Sequence, residues 1–189
     1  MEKVQAITPE FRNFMQIIAD IATIAENLAY KKNIAEECQQ TGFLVSAYGM
    51  EEYKKFAQAE QLHAILKNGQ PVAWSIVYSP IHPASEDDAG TFYIRKQFGN
   101  VPIVKQIGTA RGHEGQGYSR SLYQRVIDKY PDLPIFAAIV EEPKNERSEG
   151  FHSKLGFKKC AVFSHPDGKK RGIWKRLPTG GLHRQYVRI

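Results

Sequence analysis

Residues 103–140 alternate in an order that few folds accept: an apolar strand-like run (Ile103–Thr109), a glycine-rich turn (Gly112–Gly117), an amphipathic helix (Tyr118–Tyr130) and a second apolar run (Pro134–Val140). Within the helical stretch Leu122 and Val126, with Ile127 and Tyr130, fall on one inward face. Strand, helix and strand in succession imply two neighbouring parallel strands, with a ligand site at their carboxyl ends. The small residues of Gly112-His113-Glu114-Gly115-Gln116-Gly117-Tyr118-Ser119 let a ligand approach the backbone, and the helix start beyond them favours an anion. No Gly-Lys-Ser/Thr follows, so this is not a Walker loop, and the glycine spacing is not that of a dinucleotide fingerprint. A tight strand-to-helix connection without a ligand has the same pattern, and the turn alone leaves both readings open.

The remainder of the chain extends this unit. Val4–Ile7 reads as a short strand. Thr8-Pro9-Glu10 reads as a helix start, with Thr8 as N-cap and Pro9 at the first helical position. Phe11, Met15, Ile18, Ala22, Ala25 and Leu28 then recur at helical spacing, with a weaker continuation through residues 36–40. Residues 43–46 are strand-like and 51–61 helical. Two apolar runs, 63–67 and 71–78, flank Asn68-Gly69, a strong hairpin signal. Residues 79–91, with Pro80, Pro83 and Glu86-Asp87-Asp88, read as an exposed loop. After Val140 come a helix (Asn145–Leu155) closed by Gly156, then strands 157–163 and 170–176 paired across His165-Pro166-Asp167-Gly168. Neither a repeat nor a linker interrupts this order, so residues 1–177 are expected to form one α/β domain, a mixed sheet flanked by helices on both faces, followed by a tail at 178–189.

Charge separates the halves. Residues 1–94 hold 7 Lys/Arg against 12 Asp/Glu, whereas residues 95–189 hold 19 against 8. A basic half suits a phosphorylated cofactor or a nucleic acid. The basic residues are dispersed, however, and match no nucleic-acid motif, which makes nucleic acid the weaker partner. No apolar run is long enough to cross a membrane and the first residues lack a secretory pattern, so the expected location is the cytoplasm with no membrane partner. Cys38 and Cys160 stand far apart in no ligand spacing; no metal is expected.

Two segments together resemble a known family. Ile107-Gly108-Thr109 followed by Glu114-Gly115-Gln116-Gly117-Tyr118-Ser119-Arg120-Ser121-Leu122 is similar to motif A of the GNAT (GCN5-related) N-acetyltransferases. Asn145-Glu146-Arg147-Ser148-Glu149-Gly150-Phe151-His152-Ser153-Lys154-Leu155-Gly156-Phe157 resembles motif B. The resemblance implies the GNAT acyl-CoA N-acyltransferase fold and acetyl-CoA as acetyl donor. It further implies a cofactor site made of Ile107, Gly108, Thr109, Glu114, Gly115, Gln116, Gly117, Tyr118, Ser119, Asn145, Ser148 and Phe151. In that picture the turn N–H groups bind the pyrophosphate, the edge of strand 107–109 and Asn145 hold the pantetheine arm, and Phe151 packs beneath it. This chain departs from the pattern at Glu114, where the family prefers Gln or Arg, and at Ser119, where it prefers Gly or Ala.

The implied reaction is transfer of acetyl to a primary amine, with no covalent acetyl-enzyme because no nucleophilic cysteine or triad is visible. Many family members carry Tyr where this chain has His152, so His152 is a candidate acid for the departing thiolate; a histidine satisfied by a backbone carbonyl is the alternative. Tyr118 and Tyr123 are other hydroxyls. Glu141 and Glu142, at a strand end near the expected cleft, are candidate bases, or a solvated strand end; His63 ranks lower. A non-catalytic acyl-CoA-binding domain and a basic nucleic-acid-binding protein are the rival functions. The acceptor is an amine on a small molecule or a protein, and Trp174 with the tail suggests a homodimer contact.

Overall fold

In the computed structural model, which describes residues 2–29, 42–45, 47–81 and 88–178, the chain runs β1 (Val4–Ala6), α1 (Phe14–Leu28), α2 (Met50–Gln58), β2 (Leu62–Lys67), β3 (Gln70–Tyr78), α3 (Ala89–Phe98), β4 (Ile103–Thr109), α4 (Tyr118–Lys129), β5 (Ile135–Val140), α5 (Glu146–Lys154), β6 (Lys158–Ser164) and β7 (Lys170–Arg176). The strands form one mixed sheet in the order β1-β2-β3-β4-β5-β7-β6. Among them only β4 and β5 run parallel.

Helices cover both faces, as the nearly continuous apolar runs of the central strands β2, β3 and β5 require. On one face Ile18, Ile21, Tyr53 and Ile94, from α1 to α3, pack with Trp74, Ile76, Ile103 and Phe136. On the other, Leu122, Tyr123 and Val126 of α4 pack with Ile65, Ala73, Val77, Val104 and Ala137. Each Val, Leu, Ile or Phe among them, once out of water, contributes about 1.5–3 kcal/mol of hydrophobic stabilisation.

The parallel pair is brief. Ile103 pairs with Phe136 and Val104 with Ala137, and there the pairing ends. Beyond that point β4 stays with β3, through Gln106–Ile76 to Thr109–Ala73, while β5 stays with β7, through Ala138–Ile173 to Val140–Arg171. The parting coincides with a bulge: Ile76 faces Gln106 but Val77 faces Val104, so Lys105 is an extra residue on β4. An extra residue bends and twists its strand, which carries the end of β4 away from β5 and opens a fork. The bent segment is pinned from below. Tyr53 and the Trp74 indole both donate to Gln106 Oε1, at 2.7 and 2.8 Å. Gly108 lies so close over Trp74 that a Cβ there would meet the ring at 2.5 Å, so only glycine fits the strand in this position.

Several sequence expectations need correction. Thr8-Pro9 does not start the helix. The Phe11 N–H donates to the Thr8 carbonyl at 2.9 Å, a turn with Pro9 at its second position, and α1 begins only at Phe14 after Asn13 at φ 60°. Proline fits both settings because each needs the same φ. The buried stripe of α1 is Ile17, Ile18, Ile21 and Ala25, leaving Met15 45% exposed. Leu44 makes only a single bridge, with Ala29, where a strand over 43–46 was expected. Most unexpectedly, the supposed loop 79–91 runs into α3, capped by Asp88, whose carboxylate accepts from the Thr91 N–H and hydroxyl at 3.1 and 2.8 Å. The helical continuation through 36–40, Cys38, Glu86, Asp87 and the tail from residue 179 lie outside the described residues.

Candidate active site

Two cavities meet at the fork, one on each side of the sheet. The larger, about 640 Å³, runs from the end of β4 along the glycine turn to α5. The smaller, about 270 Å³, opens on the face covered by α1–α3, between the parted strands and the β6–β7 hairpin. Phe43, Leu44, Ile107, Asn145, Ser148 and His152 line both and form the partition.

The larger cavity ends in an anion cradle. Gly117 is the N-cap of α4 at φ 81°, and no side chain caps the helix. Its first intrahelical bond is Ser121 N–H to the Gly117 carbonyl, so the N–H groups of Tyr118, Ser119 and Arg120 have no partner within the helix. Gly112 and Gly115, at φ 80° and 75°, bend the chain so that this end is open. Ser119 is tied to the strand, its hydroxyl 2.9 Å from that of Thr109. Among the described residues Arg120, Arg147 and Lys154 line the cavity against Glu114 and Glu146, so cations outnumber acids.

Of the residues expected to hold a cofactor, Ile107, Gly108, Thr109, Glu114, Gly115, Gly117, Tyr118, Ser119, Asn145, Ser148 and Phe151 all line this one cavity. Gln116 does not line it; its amide oxygen accepts from the Tyr118 hydroxyl at 2.9 Å. Asn145 acts as the N-cap of α5, its Oδ1 accepting from Ser148 N–H at 3.2 Å and its Nδ2 donating to the Phe43 carbonyl at 2.9 Å. Its side chain therefore fastens the partition, a structural duty that motif spacing does not reveal.

His152 is 3% exposed. Its Nδ1 lies 2.7 Å from the Ser148 carbonyl, which can only accept, so Nδ1 carries the proton. Nε2 is then bare and accepts from the Tyr123 hydroxyl at 2.5 Å. Burial lowers the imidazole pKa to about 4, and burial likewise raises that of the Tyr123 phenol. Both nitrogens of the ring are thus engaged, and burial favours its neutral form. Of the two readings the sequence left open for His152, this geometry matches the histidine satisfied by a backbone carbonyl.

The two expected bases are also elsewhere. Glu141 holds Lys159 at 3.1 and 3.2 Å and rests against Gly172, where a β-carbon would collide with its carboxylate. The Glu142 side chain is 76% exposed, 4.0 Å from Lys170. Neither lines either cavity. Strand order placed them near the fork, but the direction of their side chains was set by β6 and β7. His63 lines neither cavity as well; it sits buried in the sheet near Arg125 and Lys129, its pKa lowered to about 4 chiefly by burial.

Tyr48 and Thr91, from segments that the sequence reading assigns to the acceptor pocket, line the smaller cavity, together with Lys105 and Arg171, which it does not single out. Lys105 pairs with Asp88 at 2.6 Å. Burial works against the Asp88 carboxylate, yet the charge and hydrogen bond of Lys105, with those of Thr91, outweigh it and lower the pKa. The exposed acidic loop anticipated at 86–88 is thus, at its described member, a half-buried ion pair. Among the described residues no cluster of His, Cys, Asp or Glu could hold a metal, and no helix is long and apolar enough to cross a membrane.

The sequence model of the Acetyltransferase (GNAT) family matches residues 30–157. The chain belongs to the GNAT acetyltransferases. Solved structures share the GNAT fold over nearly the whole chain. A GNAT family acetyltransferase from Streptococcus agalactiae superposes with a TM-score of 0.66 at 13% identity, covering 94% of this chain and 96% of its own. Ard1 from Thermoplasma volcanium gives 0.64 at 10% identity, covering 94% and 98%. A NatC complex bound to Gag peptide and CoA gives 0.60 at 15% identity, covering 94% and 99%. No curated protein sequence matches the chain significantly.

Proposed function

We propose that the protein transfers the acetyl group of acetyl-CoA to a primary amine by direct attack in a ternary complex. The observation that carries this reading is the fork itself: one opening in the sheet joins the anion cradle on one face to a separate cavity on the other. A cofactor whose pyrophosphate sits at the start of α4 would lie along β4 with its thioester at the fork, where an amine in the smaller cavity reaches it. The Ala110 N–H bonds back to Val72 on β3, so strand alternation turns the backbone groups of Ile107 and Thr109 toward the gap. Those groups would hold the pantetheine arm, and an N–H there would polarise the thioester carbonyl.

The amine attacks the acetyl carbon, and the tetrahedral adduct collapses as the C–S bond breaks. The proton lost by the nitrogen leaves with the CoA thiolate. In this reading His152 acts by holding Tyr123 and the wall of the fork. Acetyl-CoA should raise the melting temperature at saturating concentration, and a panel of amines should release free CoA thiol. Absence of any stabilisation by acetyl-CoA or CoA would sink the cofactor assignment.

A second reading, an acyl-CoA-binding domain without transfer, is favoured by one observation: His152 is fully engaged, and Glu141 and Glu142 stand outside both cavities. It predicts the same stabilisation with no thiol release from any amine.

A further inference from the structure

Arg171 is 8% exposed, and its guanidinium is only half satisfied. Nη2 donates to Asp167 Oδ2 at 2.5 Å, whereas Nη1 is buried with no hydrogen-bond partner. The residue stands opposite Val140, at the open end of the fork. It lies two residues before Ile173, which packs in the core on the α1–α3 side, so Arg171 shares that face and lines the smaller cavity. Among the described residues, Lys105 and Lys169 line the same cavity, against Asp167 as the one carboxylate. Adding Asp88, which pairs with Lys105, still leaves an excess of positive charge among the described residues.

A buried charge with an unpaired donor is costly unless something completes it. The guanidinium presents its donors in a planar fork that matches a carboxylate, and one arm of that fork is unoccupied. The cavity's modest volume and partly enclosed position suit a small molecule.

We propose that the acceptor is a small primary amine that also carries a carboxylate, and that Arg171 binds this carboxylate. The inference rests on the transfer reading above for the word acceptor, but the anion site stands on its own geometry. Asp167 holds the guanidinium from one side and orients it; the substrate carboxylate takes Nη1. With the anionic end anchored at the open end of the fork, the amine is left to point toward the thioester.

The test uses full-length protein, acetyl-CoA, and matched acceptors: protein amino acids with β-alanine and γ-aminobutyrate, their carboxamides, and their decarboxylated amines. Thiol release is measured for the wild type, Arg171→Gln and Arg171→Lys. The expected result is a preference of at least about tenfold in kcat/KM for carboxylate-bearing acceptors, lost in Arg171→Gln through KM and partly restored in Arg171→Lys. The acetyl-CoA Kd should stay unchanged in both variants, which separates this effect from misfolding. If carboxamides or plain amines serve the wild type as well, or if Arg171→Gln keeps the preference, the inference is overturned. Should no acceptor release thiol, the melting temperature of the CoA-loaded protein decides. A rise with amino carboxylates that Arg171→Gln abolishes upholds the anion site and favours the acyl-CoA-binding reading over transfer. No rise with any member of the panel overturns the site.

Discussion

The Tyr123 hydroxyl donates to Nε2 of His152 across 2.5 Å, and the far side of the same ring donates to the Ser148 carbonyl at 2.7 Å. This chain links α4 to α5, the two helices between which the larger cavity opens, and it is packed among Phe151 and Phe157 with ring centroids 5.3–5.7 Å apart. Both residues line the smaller cavity, so the pair fastens α4 to α5 beside the fork.

Tyr123→Phe keeps the ring but leaves Nε2 of His152 buried and unsatisfied. The expected cost is about 1–3 kcal/mol in urea unfolding. Because the loss is one of support, the acidic limb of any pH–rate profile should keep its midpoint. A limb that moves in Tyr123→Phe would instead mean that this pair exchanges protons with the reaction.

The buried histidines predict acid sensitivity with a definite sign. His152 and His63 are both lowered to about 4 when folded, against 6.5 for the free side chain. Above pH 6.5 both states are neutral and full stability is present. As pH falls from 6.5 toward 4 the unfolded chain takes up protons that the folded chain refuses, so stability is lost, on the order of 3 kcal/mol per residue at most. The melting temperature should therefore decline already between pH 6.5 and 5, and the two imidazoles should show no titration in that range by NMR. A flat melting curve across it would contradict the burial described.

Gly117→Ala tests the cradle. A side chain at φ 81° costs about 1–2 kcal/mol, and relief of that strain would turn the first N–H groups of α4 away from the anion. Acetyl-CoA binding is expected to weaken by about tenfold or more, read by calorimetry. Gly69→Ala is the control: its φ is also 81° and its surroundings are equally open, but it lies in the β2–β3 turn, so stability should fall with the Kd unchanged.

What was legible in the chain was what depends on near neighbours. Asn68-Gly69 adopts positive φ at both residues and closes the hairpin because the turn's geometry is local. The strand, glycine turn and helix of 103–129 follow from periodicity and from glycine at the helix start. Asp88 was readable in principle, since a cap three residues before Thr91 precedes an amphipathic run; three consecutive acids concealed it as loop. The bond of His152 to a backbone carbonyl was readable, since Ser148 is one helical turn away, but its second bond was not, because Tyr123 is distant in sequence and brought close only by the packing of α4 on α5. Arg171 looked like one basic residue among many until the pairing of β5 with β7 placed it at the fork.

Glu141 gives the last prediction, since strand order alone makes it a natural base. Its carboxylate is held by Lys159 and fits over Gly172 because that residue has no β-carbon. The Lys159 end of the pair is 42% exposed, so the bridge should contribute no more than about 1 kcal/mol. Glu141→Gln keeps the shape and removes the charge. The expected outcome is an acetyl-transfer rate within about threefold of the wild type, which is less than 1 kcal/mol of barrier, and a small loss of stability. A general base removed from the reaction would cost about 100-fold or more. Steady-state kcat for Glu141→Gln therefore separates a structural carboxylate from a catalytic one, and a drop of that larger size would return Glu141 to the reaction centre.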